Sequence, residues 1–336
     1  MLKVYIPDCL KPPLPIEEGI LSGLAELICL GAGCVEDLKG RMTDADGILL
    51  YHEVSLTPEI IGELRQCKSI VRCGVGFDNV DIEAAGRQGI PVSNVPDYGV
   101  DEVADHAIGM MLCCNRGIMK AERRLRKTLS PWNAEAVEPV FRISGSTMGI
   151  IGCGRIGSAT ALRARALRMN VLVYDPYLRP GIDKALGVTQ VSLEQLLQRS
   201  DVVSLHTPLT EETRHIINEA TLGMMKKTAI LVNTARGAVV DTEALARVLD
   251  AGGIAGAGID VLATEPPNSD MGLIRLWQEE RNPPVNLVIT PHTAYFSESG
   301  FDEMRTKGAV ELARVLRGEP PLNCVNSQFL KQSIRV

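Results

Sequence analysis

Three glycines, Gly152, Gly154 and Gly157, stand at G-x-G-x-x-G spacing, and an acid, Asp175, follows 18 residues after the last. These residue types suit one task, the grip on a dinucleotide. Gly152 allows a tight turn, Gly154 lets the backbone approach a pyrophosphate, and Gly157 lets helix and strand pack closely. A helix opening near Gly154 would turn free N–H groups and the positive end of its dipole toward the phosphates. Asp175 would accept hydrogen bonds from an adenosine ribose diol and repel a 2′-phosphate, which favours NAD over NADP. Arg179, four residues on, is the opposing charge.

A second set of residues suits transfer of a hydride and a proton. Arg236 follows a strand-like run ending at Asn233, Glu265 follows one at Ile259, and His292 follows one ending at Thr290. An Arg holds a carboxylate bidentately. A His passes a proton to or from a carbonyl or alcohol oxygen. A Glu orients that His and favours its charged form. His206 and Thr234 also sit at strand ends, on the side where a cofactor would lie. His52 follows a strand in the first section and is placed to wall a substrate. His106, in the middle of a helical run, reads as a satisfied interior histidine, and His215 as peripheral. The segment Cys73-Gly74-Val75-Gly76-Phe77-Asp78-Asn79 could form a backbone nest for a carboxylate, with Arg72 adding charge; a tight strand-to-helix turn would need the same glycines. No metal is expected.

The elements needed to position these groups are legible as short β-branched runs alternating with longer amphipathic ones, the pattern of α/β folds with parallel sheets. Strands are expected at Val4–Ile6, Gly47–Tyr51, Ile70–Cys73 and Pro91–Ser93. Helices are expected at Pro58–Arg65 and, as one long rod, from Val100 to about Lys127. From Thr147 onward six strands are expected, at Met148–Ile151, Val171–Tyr174, Val202–Leu205, Ala229–Asn233, Gly258–Leu262 and Leu287–Thr290. That number suffices for a 3-2-1-4-5-6 sheet. In such sheets the carboxyl ends of the strands line the ligand crevice, which is where Arg236, Glu265 and His292 fall. Two further glycine pairs fail the context test: Gly31-Ala-Gly33 has no third glycine and no β-branched strand before it, and Gly256-Ala-Gly258 precedes a strand. A last helix, Glu298 to about Arg317, has no place left in the second sheet and should return to the first domain.

The fold expected is therefore α/β, with two Rossmann-like doubly wound parallel-sheet domains, the first discontinuous in sequence: residues 1–99 plus 294–336, and residues 100–293. Composition is ordinary for a globular chain, with 45% hydrophobic and 23% charged residues among 336. A net charge of −6 and one short basic run, Arg123 to Lys127, speak against nucleic acid as a partner. No apolar run is long enough to span a bilayer, and no signal-peptide layout appears, so a cytoplasmic location is expected. The nine cysteines include no C-x-x-C pair and read as reduced, small apolar residues.

The order and spacing of Gly74-Val-Gly-Phe-Asp-Asn-Val-Asp81, Glu102-Val-Ala-Asp-His106, the Gly152 turn, Asn233-Thr-Ala-Arg-Gly-Ala-Val-Val-Asp241, Asp260-Val-Leu-Ala-Thr-Glu265-Pro and Pro291-His292 resemble the D-isomer-specific 2-hydroxyacid dehydrogenases over nearly the whole chain. Tyr51-His52, Arg72-x-Gly-x-Gly-Phe-Asp-Asn, Tyr174-Asp-Pro-Tyr177 and His292-x-Ala-x-x-Ser-Glu298 look most like the C-terminal-binding-protein branch. The resemblance implies that Arg236 holds the substrate carboxylate, His292 is the acid/base and Glu265 its partner. It implies that the Val75–Gly76 backbone binds the same carboxylate. It places Arg155 and Ile156 on the pyrophosphate, Asp175 on the ribose, Thr207 and Pro208 beside the cofactor, and Asp260 at the nicotinamide carboxamide. It also implies a homodimer through the cofactor domains. One departure concerns substrate size: Tyr295 stands where that branch has Trp. The activity implied is NAD-dependent interconversion of a small 2-oxo acid and a D-2-hydroxy acid, glyoxylate-, pyruvate- or malate-like. The alternative is an NAD(H)-sensing corepressor scaffold, which usually carries a long tail after the last helix; the end of this chain at Val336 favours the enzyme.

Overall fold

The computed structural model describes residues 1–280 and 284–330. Residues 331–336, assigned above to the first domain, lie outside the described residues. The chain forms two compact units, residues 1–99 with 297–330, and residues 100–296.

The first unit is built on five parallel strands, β1 (Leu2–Ile6), β2 (Ala25–Cys29), β3 (Gly47–Leu50), β4 (Ser69–Arg72) and β5 (Val92–Asn94), in the order β2-β1-β3-β4-β5. β2 was not foreseen in the sequence. Its Ala-Glu-Leu-Ile-Cys run carries one β-branched residue and lies at the sheet edge, so a strand does precede Gly31-Ala-Gly33 after all. Ile48, Leu50, Ile70 and Val92 enter one core with Ile60, Ile61 and Ala85 from the helices Pro58–Glu63 and Ile82–Arg87. The helix Glu298–Leu316 packs on this sheet. A Cβ on Gly47 would lie 2.9 Å from Leu312, and one on Gly308 would lie 2.5 Å from the Cys73 sulfur, so both glycines serve close approach. The buried Glu311 accepts hydrogen bonds from Ser93 Oγ and from the Leu322 amide. Arg305 forms a two-pronged ion pair with the fully buried Glu17.

The second unit has seven parallel strands: β6 (Thr147–Ile151), β7 (Asn170–Tyr174), β8 (Thr189–Gln190), β9 (Val202–Leu205), β10 (Ile230–Asn233), β11 (Gly256–Ile259) and β12 (Leu287–Ile289). The order β8-β7-β6-β9-β10-β11-β12 is the expected doubly wound pattern with one strand more. The extra strand, β8, is two residues long and exposed, too short to leave a periodic signal. Alternate residues of each strand feed opposite faces. Ile151, Leu172, Val203 and Leu231 enter one core, while Met148, Ile150, Val171, Val173, Val202 and Ile230 enter the other. Burial on both faces explains why these strands are continuously apolar.

Two expectations are corrected here. The rod foreseen from Val100 to Lys127 is two helices, Val100–Asn115 and Ile118–Thr128. Gly117 breaks it with φ of 62°, in the left-handed region that glycine enters without a Cβ penalty. The strand foreseen at Gly258–Leu262 lies earlier, at Gly256–Ile259, so the pair Gly256-Ala-Gly258 is inside the strand rather than before it. Its glycines make room for neighbours. A Cβ on Gly258 would meet Met110 at 2.8 Å, and one on Gly256 would meet Asn286 at 2.5 Å.

Candidate active site

The glycine turn connects β6 to the helix Arg155–Ala166. Gly152 has φ of 88°, and a Cβ there would lie 2.7 Å from the His206 carbonyl oxygen. A Cβ on Gly157 would lie 2.1 Å from the Gly152 carbonyl oxygen. Gly154 differs: a Cβ there meets nothing within 4 Å, so space lies open in front of the turn. The helix begins without a side-chain cap, and the first-turn amides of Arg155, Ile156 and Gly157 have no intrahelical acceptor. Such a terminus holds an anion. At the end of β7, Asp175 accepts hydrogen bonds from the Cys153 amide (2.8 Å) and the Tyr177 amide (2.9 Å), which fixes the acid against the turn. Arg179 is exposed.

His206 and Thr207 follow β9, and Thr234 follows β10. His206 Nε2 pairs with Ser204 Oγ at 2.9 Å, but His206 Nδ1 and Thr234 Oγ1 are buried polar atoms with no protein partner. Buried orphans of this kind call for a ligand or water. Burial pushes the His206 imidazole down to about 4, so the ring is neutral at pH 7. Thr207 is nearly buried and its hydroxyl donates to the Pro208 carbonyl. The open space at Gly154, the uncapped amides, the anchored acid and the two orphaned atoms together fit a dinucleotide.

His292 and Glu265 stand on the neighbouring loops. His292 Nδ1 lies 2.6 Å from Glu265 Oε2, and Glu265 Oε1 accepts from the Leu262 amide at 2.7 Å. Burial works to raise the Glu265 pKa. Hydrogen bonds from His292 and Leu262, with the charges of His292 and Arg236, outweigh it and hold the carboxyl below its ordinary range. An ionised carboxylate only accepts, so His292 Nδ1 carries a proton.

Two residues that the sequence reading passed over shape the Arg236 loop. Asn233, almost wholly buried, donates to the Arg236 carbonyl (2.9 Å) and accepts from the Ala235 amide (3.0 Å). Gly237 lets this loop meet the next one, because a Cβ there would lie 1.9 Å from the Leu262 carbonyl carbon. Arg236 itself donates to the Ala235 carbonyl. Asp260, 2% exposed, accepts from the Thr290 hydroxyl and the Thr293 amide on one oxygen and from the Ala294 amide on the other. It therefore holds the turn that carries His292, which sequence spacing did not reveal. His106 is half-buried and hydrogen-bonded, as a satisfied histidine should be: its Nε2 lies 3.0 Å from Thr290 Oγ1. Tyr295 meets the His292 ring edge-on at 6.2 Å. His215 is exposed, as its polar surroundings suggest.

In the first unit, the fully buried Asp8 accepts from the amides of Tyr51, Glu53 and Val54, fixing the loop on which His52 is exposed. Arg72 is buried and donates to the Cys73 carbonyl and to Asn79. Asn94 donates to the Val75 carbonyl, whereas the amides of Val75 and Gly76 donate to no acceptor among the described residues. Among those residues, no cluster of His, Cys, Asp or Glu is arranged to hold a metal ion, and no helix is long and apolar enough to cross a membrane.

The chain belongs to the D-isomer-specific 2-hydroxyacid dehydrogenase family, whose NAD binding domain matches residues 108–294. It is an NAD-dependent oxidoreductase acting on the CH–OH group of a 2-hydroxy acid. A glyoxylate reductase of Korarchaeum cryptofilum is 39% identical over 295 residues, covering 87% of this chain and 86% of that protein. A D-3-phosphoglycerate dehydrogenase of Methanocaldococcus jannaschii is 35% identical over 336 residues; the match takes in 99% of this chain but spans 61% of that longer protein. Among solved structures, a D-lactate dehydrogenase from Aquifex aeolicus complexed with NAD and lactic acid superposes with a TM-score of 0.83 at 31% identity, covering 94% of this chain and 96% of that one.

Proposed function

We propose that the protein interconverts a small 2-oxo acid and its D-2-hydroxy acid, of glyoxylate, pyruvate or malate type, with Arg236, Glu265 and His292 as the reacting group. The observation that carries this reading is the 2.6 Å contact between His292 Nδ1 and Glu265 Oε2, which commits Nδ1 to the carboxylate and assigns proton exchange with substrate to the other ring nitrogen. The names of the relatives, glyoxylate reductase and D-lactate dehydrogenase, support the size class.

In the oxidising direction, neutral His292 accepts the hydroxyl proton at Nε2, and Glu265 favours the imidazolium that results. In the reducing direction, the imidazolium returns a proton to the carbonyl oxygen. The Arg236 guanidinium holds the substrate carboxylate, and the Val75–Gly76 amides offer a second carboxylate-binding nest. The family resemblance makes His52, Arg72 and Tyr295 further candidates for substrate contact. Bound NAD accepts or supplies the hydride. It would be held by the glycine turn, the amides of Arg155 and Ile156, Asp175, His206, Thr207, Pro208, Thr234 and Asp260. The unit of residues 100–296 is thus the cofactor domain, and the other unit the substrate-binding domain.

Two further parts of the reading concern assembly and place. The helix Ile118–Thr128 has no buried residue, and Ile118, Leu129, Trp132 and Phe141 on and after it are exposed. A second copy of the cofactor domain would cover them, giving a homodimer. All nine cysteines are free, which suits a reducing cytoplasm.

The test is a screen of 2-oxo acids with NADH and the purified protein, followed at the nicotinamide absorbance. Turnover of a two- to four-carbon 2-oxo acid is expected. His292→Ala should lower that turnover about a hundredfold or more while NADH binding persists. Near-normal turnover in the variant would refute the acid–base assignment.

A further inference from the structure

The His292 turn is held from behind. Its backbone sits at φ of 55°, a left-handed conformation that a non-glycine residue adopts at a cost and keeps when its surroundings impose it. Asp260 imposes it. The Asp260 carbonyl accepts the His292 amide at 2.8 Å, and its carboxylate accepts the amides of Thr293 and Ala294, each at 3.0 Å. Three consecutive amides thus end on one residue.

The Thr290 hydroxyl extends this clamp. Its oxygen lies 2.5 Å from Asp260 Oδ1 and 3.0 Å from His106 Nε2. A hydroxyl has one proton to give, and Asp260 Oδ1, which also accepts the Thr293 amide, is its acceptor. The proton therefore goes to Asp260, and the Thr290 oxygen must accept from His106, so His106 Nε2 bears hydrogen. His106 also lies 3.7 Å from Asp260 Oδ1. It stands on the helix Val100–Asn115, one turn before Met110, which packs against Gly258 of β11. Residues four apart share a helix face, so packing of Met110 on the sheet fixes where His106 stands.

We propose that His106 is a positioning residue for catalysis. It acts through Thr290 and Asp260 to hold the 290–294 turn in the backbone conformation that presents the His292 imidazole. The proposal rests on His292 being the acid/base. Without the His106 donor, Thr290 Oγ loses its fixed direction, the bond to Asp260 weakens, and the turn relaxes from its strained conformation. The chemical step then slows, while the glycine turn and Asp175, which stand on other loops and grip the far end of the dinucleotide, are unchanged.

The experiment compares His106→Ala, His106→Gln, His292→Ala and the double variant His106→Ala/His292→Ala, by steady-state turnover and by NADH fluorescence titration. His106→Ala should lower kcat about tenfold or more, the size of a lost hydrogen bond in a charged network, with NADH affinity within twofold of wild type. His106→Gln, which retains a donor of similar reach, should recover most of the loss. The double variant should be no slower than His292→Ala, because His106 acts through His292. Should His106→Ala fail to fold, Thr290→Val removes the same link at nearly constant shape and should show the same fall in kcat. Normal turnover in His106→Ala, or losses that multiply in the double variant, would overturn the proposal while His292→Ala remains inactive. An active His292→Ala would instead overturn the acid–base reading beneath it.

Discussion

His206 makes the stability of the protein depend on pH in a direction and size that can be worked out. Its ring is buried at the end of β9, and burial lowers its pKa from the ordinary 6.5 to about 4. As pH falls below 6.5 the unfolded chain takes up a proton at this site and the folded one does not. The stabilisation is therefore complete above 6.5 and is lost progressively as pH falls from there to about 4. The gap of about 2.5 pH units corresponds to about 3 kcal/mol over the full window, and to about 2 kcal/mol between pH 7.5 and 5. The perturbation is His206→Gln, which keeps a polar partner for Ser204 but does not titrate. Urea unfolding of both proteins without cofactor, at pH steps between 7.5 and 5, gives the stability of each. All other titrating groups are shared, so the difference in slope isolates His206. Wild type should lose about 2 kcal/mol more than the variant over that interval. Parallel curves would mean that His206 is hydrated or protonated in the folded state, and that burial does not hold it neutral.

Three other outcomes test the site. Replacing Asp175 by Asn should narrow the preference for NADH over NADPH in steady-state kinetics, because repulsion of a 2′-phosphate is removed; a wild type that prefers NADPH would contradict this. Glu265→Gln should lower turnover about tenfold or more with NADH binding retained, since a neutral amide fixes the His292 ring and offsets its charge less well; normal turnover would refute the pairing. Gly157→Ala should destabilise the protein by about 1–3 kcal/mol, because the new methyl meets backbone, whereas Gly154→Ala should leave the melting temperature unchanged and weaken NADH binding. Equal destabilisation by both would show that the space at Gly154 is not reserved for a ligand.

What could be read from the sequence follows from how local each signal is. The glycine turn was legible because three glycines, a strand, a helix and an acid fall within one contiguous stretch, Thr147 to Asp175, and each has a separate mechanical reason. Arg236, Glu265 and His292 stand out as charged or titratable residues just past apolar strands, where a parallel sheet collects its loops. The edge strands β2 and β8 escaped, being weakly β-branched or only two residues long. The break at Gly117 was masked because the amphipathic pattern runs on across it. Asn233 left a faint signal, since Asn at a strand end often bonds the backbone that follows. For Thr290 and His106 there was none. Their meaning lies in a contact across 184 positions of the chain, which no periodicity reports.

The chemistry and the fold meet most closely in the loops after β10, β11 and β12. Arg236, Glu265 and His292 are the residues proposed to react, and none sets its own position. Asn233 ties down the Ala235 amide and the Arg236 carbonyl, and Gly237 brings that turn against the backbone before Glu265. The Leu262 amide takes one Glu265 oxygen, which commits the other to His292. Asp260 gathers the amides on which His292 hangs. Each loop is thus fixed by the one before it, in the order in which the strands lie side by side. A change at the start of this series should be felt at His292 even though the two residues are far apart in sequence. The His292 backbone keeps its left-handed conformation because Asp260 takes three consecutive amides of that turn.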